Sequence, residues 1–469
     1  MTGTFVVIGG DAAGMSAASK ARRSDPDLDV VVFERGQWVS YAACGIPYYV
    51  GGEVETLDDL VAVTPEEFVE ERRIDLRTAH EVTAIDPDAR TVTVEGDGDR
   101  FEQSYDHLLV ATGASAVAPP FDGTDLDGVF TIRGLDDAAA VRDDVEGWSG
   151  SGSGAGAGGR RESSEATTPR AVGVVGGGYV GIEMAEAFAA RDAEVHLFEA
   201  LPHVLDPFGE ATAGVVEDHL RERGVSLHLD TPVEGFVGDG RVTGVETESG
   251  TVAVDAVVVG VGVAPNVDLV EGTRIERGPT GAIATDEYGR TNVDDVFAAG
   301  DCAEARHVVS GAPAYVPLAL TANRAGRAIG STVTGTPTEV GDIAGTAILK
   351  AFDLEVARTG ILDHEEAREA GFDPVTSTIT DRSRADYYPG AEEITVTLTA
   401  DRDTGRVLGG SVVGRDRAGK RIDPVATALH AGMTVTDLQN LDLAYAPPFS
   451  PVWDPVLTAA RVLRGELDA

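Results

Sequence analysis

The chain has 469 residues, 79 of them Asp or Glu against 37 Lys or Arg, for a net charge of −42. A length of this order holds about three domains of roughly 150 residues, and an acid excess this large repels nucleic acid and favours solubility. Two cysteines, Cys44 and Cys302, exclude a disulfide scaffold and a four-cysteine metal site.

Lysine occurs only at Lys20, Lys350 and Lys420. Acid excess with so few lysines is the pattern expected of a halophile's high-salt cytoplasm, where charge screening shortens to about 3 Å at 1 M. No run of about 18 apolar residues is present, so no membrane span is expected. The start at TFVVIGG, without a basic n-region or cleavage site, reads as cytoplasmic.

In chain order, TFVVIGG predicts a buried strand. Gly9, Gly10 and Gly14 mark the turn after it, with Asp11 where a G-x-G-x-x-G turn has its central glycine. AAGMSAASKARRS predicts a small-residue helix, and DVVVFERG a second strand ending at Glu34, placed to hold a ribose. SYAACGIPYYVGG (Ser40–Gly52) is a Gly/Pro-rich loop around Cys44. YDHLLVATGA predicts a strand ending at Thr112 and Gly113. Gly147–Arg170 is Gly/Ser-rich and apolar-poor, hence a linker or insertion.

Arg170–Ala200 then repeats the strand–turn–helix–strand logic, with Gly176, Gly178 and Gly181 completing G-x-G-x-x-G. The first glycine allows the tight turn, the second admits a pyrophosphate, and the third lets the helix pack on the sheet. Glu199 ends the next strand. A carboxylate there accepts ribose hydroxyls and repels a 2′-phosphate, which favours NADH. TNVDDVFAAGDCAEA predicts a strand closing on Gly300 and Asp301, an Asp placed to bind a ribityl hydroxyl of FAD. Past about Thr336 the segments GTAILKAFDLEVARTGI, EEITVTLTAD and GRVLGGSVVG read as antiparallel strands. ATALHAGMTVTDLQNL and PVWDPVLTAARVLRGEL read as helices.

These motifs in this order resemble the two-dinucleotide flavoprotein disulfide reductases. The resemblance implies an α/β fold with two Rossmann-like domains, for FAD and NAD(P)H, and a C-terminal α+β dimerisation domain. The matching division is 1–145 for the first FAD part, 146–170 for the linker, 171–262 for NAD(P)H, 263–336 for the second FAD part and 337–469 for the interface. Most of these enzymes use C-x-x-x-x-C, but here Tyr49 stands at the second position. A lone cysteine can form a mixed disulfide, a sulfenic acid or a persulfide, but no internal disulfide.

The loop is similar to the S-x-x-x-C-x-x-P-Y stretch of coenzyme A disulfide reductases, with Ser40, Cys44, Pro47 and Tyr48 in place and Ala43 where an Asn is usual. By that likeness Cys44 is the redox centre and carries coenzyme A as a covalent mixed disulfide. Tyr387 (with Tyr388 its alternative) and Tyr445 reach it from the partner subunit of a homodimer as proton donors. Arg23, Ser40, Arg72, Asn323 and Arg327 grip the coenzyme A. The implied reaction moves a hydride from NADH to FAD and two electrons on to the Cys44 disulfide. Cys44 then needs a depressed pKa, expected from the flavin and a nearby helix N-terminus. The alternatives are an NADH oxidase working through a Cys44 sulfenic acid, a coenzyme A persulfide or polysulfide reductase, and a non-catalytic redox sensor. Persulfide reductases often carry a further C-terminal sulfur-transfer domain, and the sequence ending at Ala469 weighs against that reading. Cys302 and His430 are expected to pack in the core, or for His430 in an interface.

Overall fold

Two stretches of alternating Val-rich and Ala-rich sequence fold as two separate five-stranded parallel sheets. The computed structural model describes residues 3–149 and 170–467. Most of the Gly/Ser-rich linker, from 150 to 169, lies outside the described residues.

In the first sheet Thr4–Ile8 is central, flanked by Asp29–Phe33 and His107–Val110, all parallel. Phe5, Val6 and Val7 are fully buried. A continuous apolar run fits a strand covered by helices on both faces, and burying each such side chain contributes about 1.5–3 kcal/mol. In the second sheet Ala171–Val175 is central, between Glu194–Phe198 and Ala256–Val259. The chain then returns to the first sheet, where Val296–Ala298 pairs parallel with Leu108–Val110. The Ala319–Thr332 helix packs on the Ala12–Ser24 helix almost backbone to backbone. A Cβ on Gly326 would meet Ala13 O at 2.1 Å, so glycine there sets the crossing.

One segment differs from the sequence reading, which keeps everything up to residue 145 with the first unit. Val129–Thr131 instead pairs with Val257–Val259 of the second sheet. Leu135, Ala138, Val141 and Val145 sink into the core that holds Val172 and Val174. A three-residue strand carries too little periodicity to reveal its partner.

The C-terminal region is a five-stranded antiparallel sheet. GTAILKAFDLEVARTGI resolves into a hairpin, Ala347–Ala351 against Leu354–Gly360, turning at Phe352 with φ +57°. ATALHAGMTVTDLQNL breaks at Gly432, φ +61°, and restarts as Val435–Gln439 behind a Thr434–Asp437 capping box. The Pro374–Arg382 edge strand and two three-stranded antiparallel sheets, over 80–104 and 233–253, are additions that the sequence reading lacks. Cys302 is fully buried, as expected. His430 is not buried in the chain: it is exposed at the end of the Ile422–His430 helix, because the apolar face there is supplied by Val425, Ala428 and Leu429.

Candidate functional site

The two glycine turns are near copies. Gly9 has φ +111° and Gly176 φ +105°, a backbone open to glycine. A Cβ on Gly14 would lie 1.9 Å from Gly9 O, and one on Gly181 1.8 Å from Gly176 O. Glu34 accepts from Gly10 N and Gly36 N, each at 2.7 Å. Glu199 accepts from Gly177 N at 2.6 Å and Leu201 N at 2.9 Å. A carboxylate offers about four acceptor positions, so both retain capacity for a ribose. Neither following helix has a side-chain cap, which leaves its first N–H groups free for an anion. The turns therefore fit a dinucleotide.

They differ at the third residue. A Cβ on Gly178 would meet nothing within 4 Å. The counterpart, Asp11, fills that space and accepts from Tyr41 N at 3.3 Å. Burial, with the charges of Glu34 and Asp301 adding, raises its pKa to about 6.

Thr112 and Gly113 are laced to Asn266, whose Nδ2 donates to Thr112 O at 2.8 Å and whose N–H donates to Gly113 O at 2.9 Å. Gly300 takes φ +81°, and Asp301 follows it. Asp301 accepts from Arg133 Nη2 at 2.7 Å through one oxygen, leaving the other for a ribityl hydroxyl. Beside it, Tyr315 Oη is buried without a hydrogen-bond partner, and burial raises its pKa to about 12. An orphaned buried hydroxyl calls for a partner, and a flavin would supply one. Sequence reasoning missed both Arg133 and Tyr315, since nothing local marks either residue.

The Cys44 loop hangs on the first turn. Ser40 N donates to Gly10 O at 3.0 Å, and Ala62 N to Ser40 O at 2.9 Å. Ser40 itself has φ +49°, a conformation that costs a non-glycine residue about 1 kcal/mol or more. Cys44 sits in the Ala43–Gly45 turn, which runs into the Ile46–Gly51 helix. Gly45 is required there, since a Cβ would strike Leu60 Cδ2 at 2.3 Å. The Cys44 thiol is exposed. The protein groups alone do not depress its pKa, so the expected depression would have to come from the flavin. Although the residue reaches the surface, partial desolvation by its neighbours raises that pKa, and the charges of Glu183 and Asp301 add to the rise. A helix of six residues offers too little dipole to oppose them.

The residues expected to grip coenzyme A gather along the Ala12–Ser24 helix. Ser16, Ser19 and Arg23 share one face by helical spacing. Asn323 accepts from Ser16 Oγ at 2.6 Å and donates to Ala319 O at 2.9 Å. Arg72 donates to Ser19 Oγ at 3.3 Å, pairs with Glu67 at 2.7 Å and lies 4.7 Å from the Phe68 ring centroid. Asn323 and Arg72 thus already hold partners within the fold. Arg23 and Arg327, one turn beyond Asn323, are exposed. Tyr387 and Tyr445 come together from segments 58 residues apart in sequence, and the neighbouring Tyr445 hydroxyl raises the Tyr387 pKa. Both are exposed, as are Tyr388, Phe449, Val452 and Trp453 around them. Among the described residues no hydrogen bond joins either tyrosine to Cys44, no group of three metal-ligating side chains forms, and no helix is long and apolar enough to cross a membrane.

Comparison with known proteins matches residues 3–326 to the pyridine nucleotide-disulphide oxidoreductase model and 346–455 to that family's dimerisation domain. The chain is 40% identical over 460 residues to the NAD(P)H coenzyme A polysulfide/persulfide reductase of Pyrococcus horikoshii, covering 98% of each. It is 31% identical over 450 residues to the coenzyme A disulfide reductase of Staphylococcus aureus, covering 95% of this chain and 96% of that one. The solved NAD-dependent persulfide reductase from A. fulgidus superposes with a TM-score of 0.92 at 37% identity, covering 99% of this chain and 84% of that one.

Proposed function

This chain belongs to the pyridine nucleotide-disulphide oxidoreductase family, and we propose that it reduces a sulfur–sulfur bond carried on coenzyme A, through a mixed disulfide on Cys44. The family implies FAD and NAD(P)H, which supply the electron pair. In this reading the first turn with Glu34, Thr112, Gly113 and Asp301 holds FAD. The second turn with Glu199 holds the nicotinamide nucleotide, NADH in preference.

The observation that carries the proposal is an exposed Cys44 whose only sister, Cys302, is sealed in the core. Such a thiol has no second cysteine of its own chain to pair with and is open to exchange with a soluble partner. Its thiolate attacks one sulfur of the substrate, the substrate bond breaks, and half of it leaves as a thiolate that takes up a proton. Two electrons then break the Cys44–S bond, the second half leaves with another proton, and the Cys44 thiolate returns. Tyr387 and Tyr445 of a second copy in a homodimer donate those protons. Arg23, Arg72 and Arg327 provide charge for the phosphates of coenzyme A, with Ser40 and Asn323 as polar contacts.

Coenzyme A disulfide is the first substrate in this proposal. The persulfide or polysulfide of coenzyme A is the second, favoured by the higher identity to the Pyrococcus horikoshii reductase than to the Staphylococcus aureus enzyme. Cys44→Ser should keep FAD and lose NADH-dependent reduction of both compounds, while the wild-type protein carries a coenzyme A-sized mass on Cys44. Retained turnover in that variant rejects the proposal. A single added oxygen on the wild-type cysteine, with O2 consumed, selects the oxidase chemistry instead.

A further inference from the structure

Arg421, immediately before the Ile422–His430 helix, is a buried cation whose guanidinium bonds four groups on three segments. Its Nε donates to Asp454 Oδ2 at 2.9 Å and its Nη1 to Arg417 O at 2.6 Å. Its Nη2 is shared between Ser383 O at 2.7 Å and Phe449 O at 3.2 Å. Those two carbonyls belong to the two loops that carry the exposed tyrosines, Ser383 lying four residues before Tyr387 and Phe449 four residues after Tyr445. The loops also touch directly, Ala385 N donating to Pro447 O at 3.3 Å. Each loop is folded on itself: Ser383 N donates to Glu392 O, Tyr388 N to Ala385 O and Phe449 N to Ala446 O, all at 2.8 Å. Arg384 braces the first loop through Asp416 at 2.6 Å. Arg417 braces the second, donating to Pro448 O and standing 4.7 Å from the Phe449 ring centroid. Of these three cations only Arg421 bonds both loops at once. Asp454 carries the hold onward, because its other oxygen accepts from Val456 N at 3.0 Å at the start of the Pro455–Leu467 helix.

We propose that Arg421 is a positioning residue for the reaction: it clamps the 383–392 and 445–454 loops together, so that Tyr387 and Tyr445 are presented as one pair to a substrate bound on the partner subunit. An exposed side chain on a loop has wide freedom, and a misplacement of about 1 Å in a reacting group can cost about a hundredfold in rate. The clamp removes that freedom at the loop backbones, with no contact between Arg421 and the substrate. Arginine suits the task because its N–H groups leave a planar fork in fixed directions, whereas lysine offers one point charge on a flexible stem. The charge is held inside the fold because Asp454 pairs with it and carbonyls take up its remaining donors. The inference deepens the proposed function and rests on its assignment of Tyr387 and Tyr445 as proton donors.

The test joins amide hydrogen exchange to a mutant cycle, both in the FAD holoenzyme. In Arg421→Gln the amides of Ala385, Tyr388 and Phe449 should exchange faster by about tenfold or more, both loops loosening together. The buried Val407–Gly414 strand should keep its protection. With coenzyme A disulfide as substrate, kcat should fall about tenfold to a hundredfold while KM for NADH stays unchanged. In a Tyr387→Phe/Tyr445→Phe background the same substitution should cost less than about twofold, because the groups it positions are already gone. Arg421→Lys keeps the charge beside Asp454 without the fork and should move both readouts the same way by less, which keeps the test open if the Gln variant folds poorly. Unchanged exchange in either loop overturns the proposal. So does an equal cost in the two backgrounds, or a general loss of protection that includes Val407–Gly414. If the Tyr387→Phe/Tyr445→Phe protein turns over at the wild-type rate, the proton-donor assignment fails and the positioning role with it, whereas the exchange data still tell whether the clamp exists.

Discussion

The two glycine turns share backbone, register and carboxylate, yet they part at one side chain, Asp11 against Gly178. Five residues pair in register in each unit, Thr4–Ile8 with Asp29–Phe33 and Ala171–Val175 with Glu194–Phe198. Both third glycines touch the carbonyl of the first at under 2 Å for an added Cβ. Those are demands of the fold, and neither unit can relax them. The third residue of the turn is different, because a Cβ at Gly178 meets open space. The fold does not require glycine at that point, and the proposed nucleotide site gives it a reason. In the first unit the freed position is used to hold the Cys44 loop, through the Asp11–Tyr41 contact.

The largest effects should come from the shared demand. Gly14→Val and Gly181→Val each force a side chain into a carbonyl oxygen, and overpacking of this kind costs about 1–3 kcal/mol or more. Gly181→Val should lose NADH reduction while FAD absorbance stays, whereas Gly14→Val should lose FAD itself. Equal loss of both cofactors in both variants would break the picture of two separable units.

Next, Gly178→Asp copies the first turn into the second. The fold should survive, with an unchanged melting temperature. NADH binding should weaken on the order of a hundredfold to a thousandfold, since like charges set against each other in an interface cost several kcal/mol. Unchanged affinity by titration calorimetry would show that the nucleotide avoids this turn.

The smallest effect belongs to Asp11→Asn. The Asp11 pKa is raised in the fold from 3.8 to about 6, so its protonated form is the one the fold prefers. Wild-type stability from this group is fully present below about pH 4 and is lost as pH rises through about 6, on the order of 2–3 kcal/mol in all. Asparagine keeps the oxygen that Tyr41 N needs and removes the titration. Thermal unfolding of the variant should be flatter across that window and stabler near pH 8. A parallel profile in the two proteins would refute the buried-acid account.

Much of the candidate site is legible in single positions of the chain. Gly9, Gly14, Gly176 and Gly181 announce themselves because a tight turn and a close helix leave no room for a Cβ. Glu34 and Glu199 are found by counting from those turns, and Cys44 by its isolation in a Gly/Pro-rich loop. The interface sheet is legible as a class but not in its strand order. Ser40 in a left-handed conformation, the reassignment of Val129–Thr131 and the engaged state of Arg72 and Asn323 leave no mark in the sequence, since each depends on what a distant segment brings.

The sequence by itself determined the two α/β units, their turns and the antiparallel C-terminal region, because each rests on local backbone requirements or on periodic burial, and it placed one of the two cysteines, Cys44, in a Gly/Pro-rich loop. Only the tertiary structure decided what surrounds that thiol. Arg133 meets Asp301 across 168 residues, the Cys44 loop hangs on Gly10 through Ser40, and Leu60 packs against Gly45. Ionisation depends on the charges and the water that reach a group, and those arrive from segments far apart along the chain.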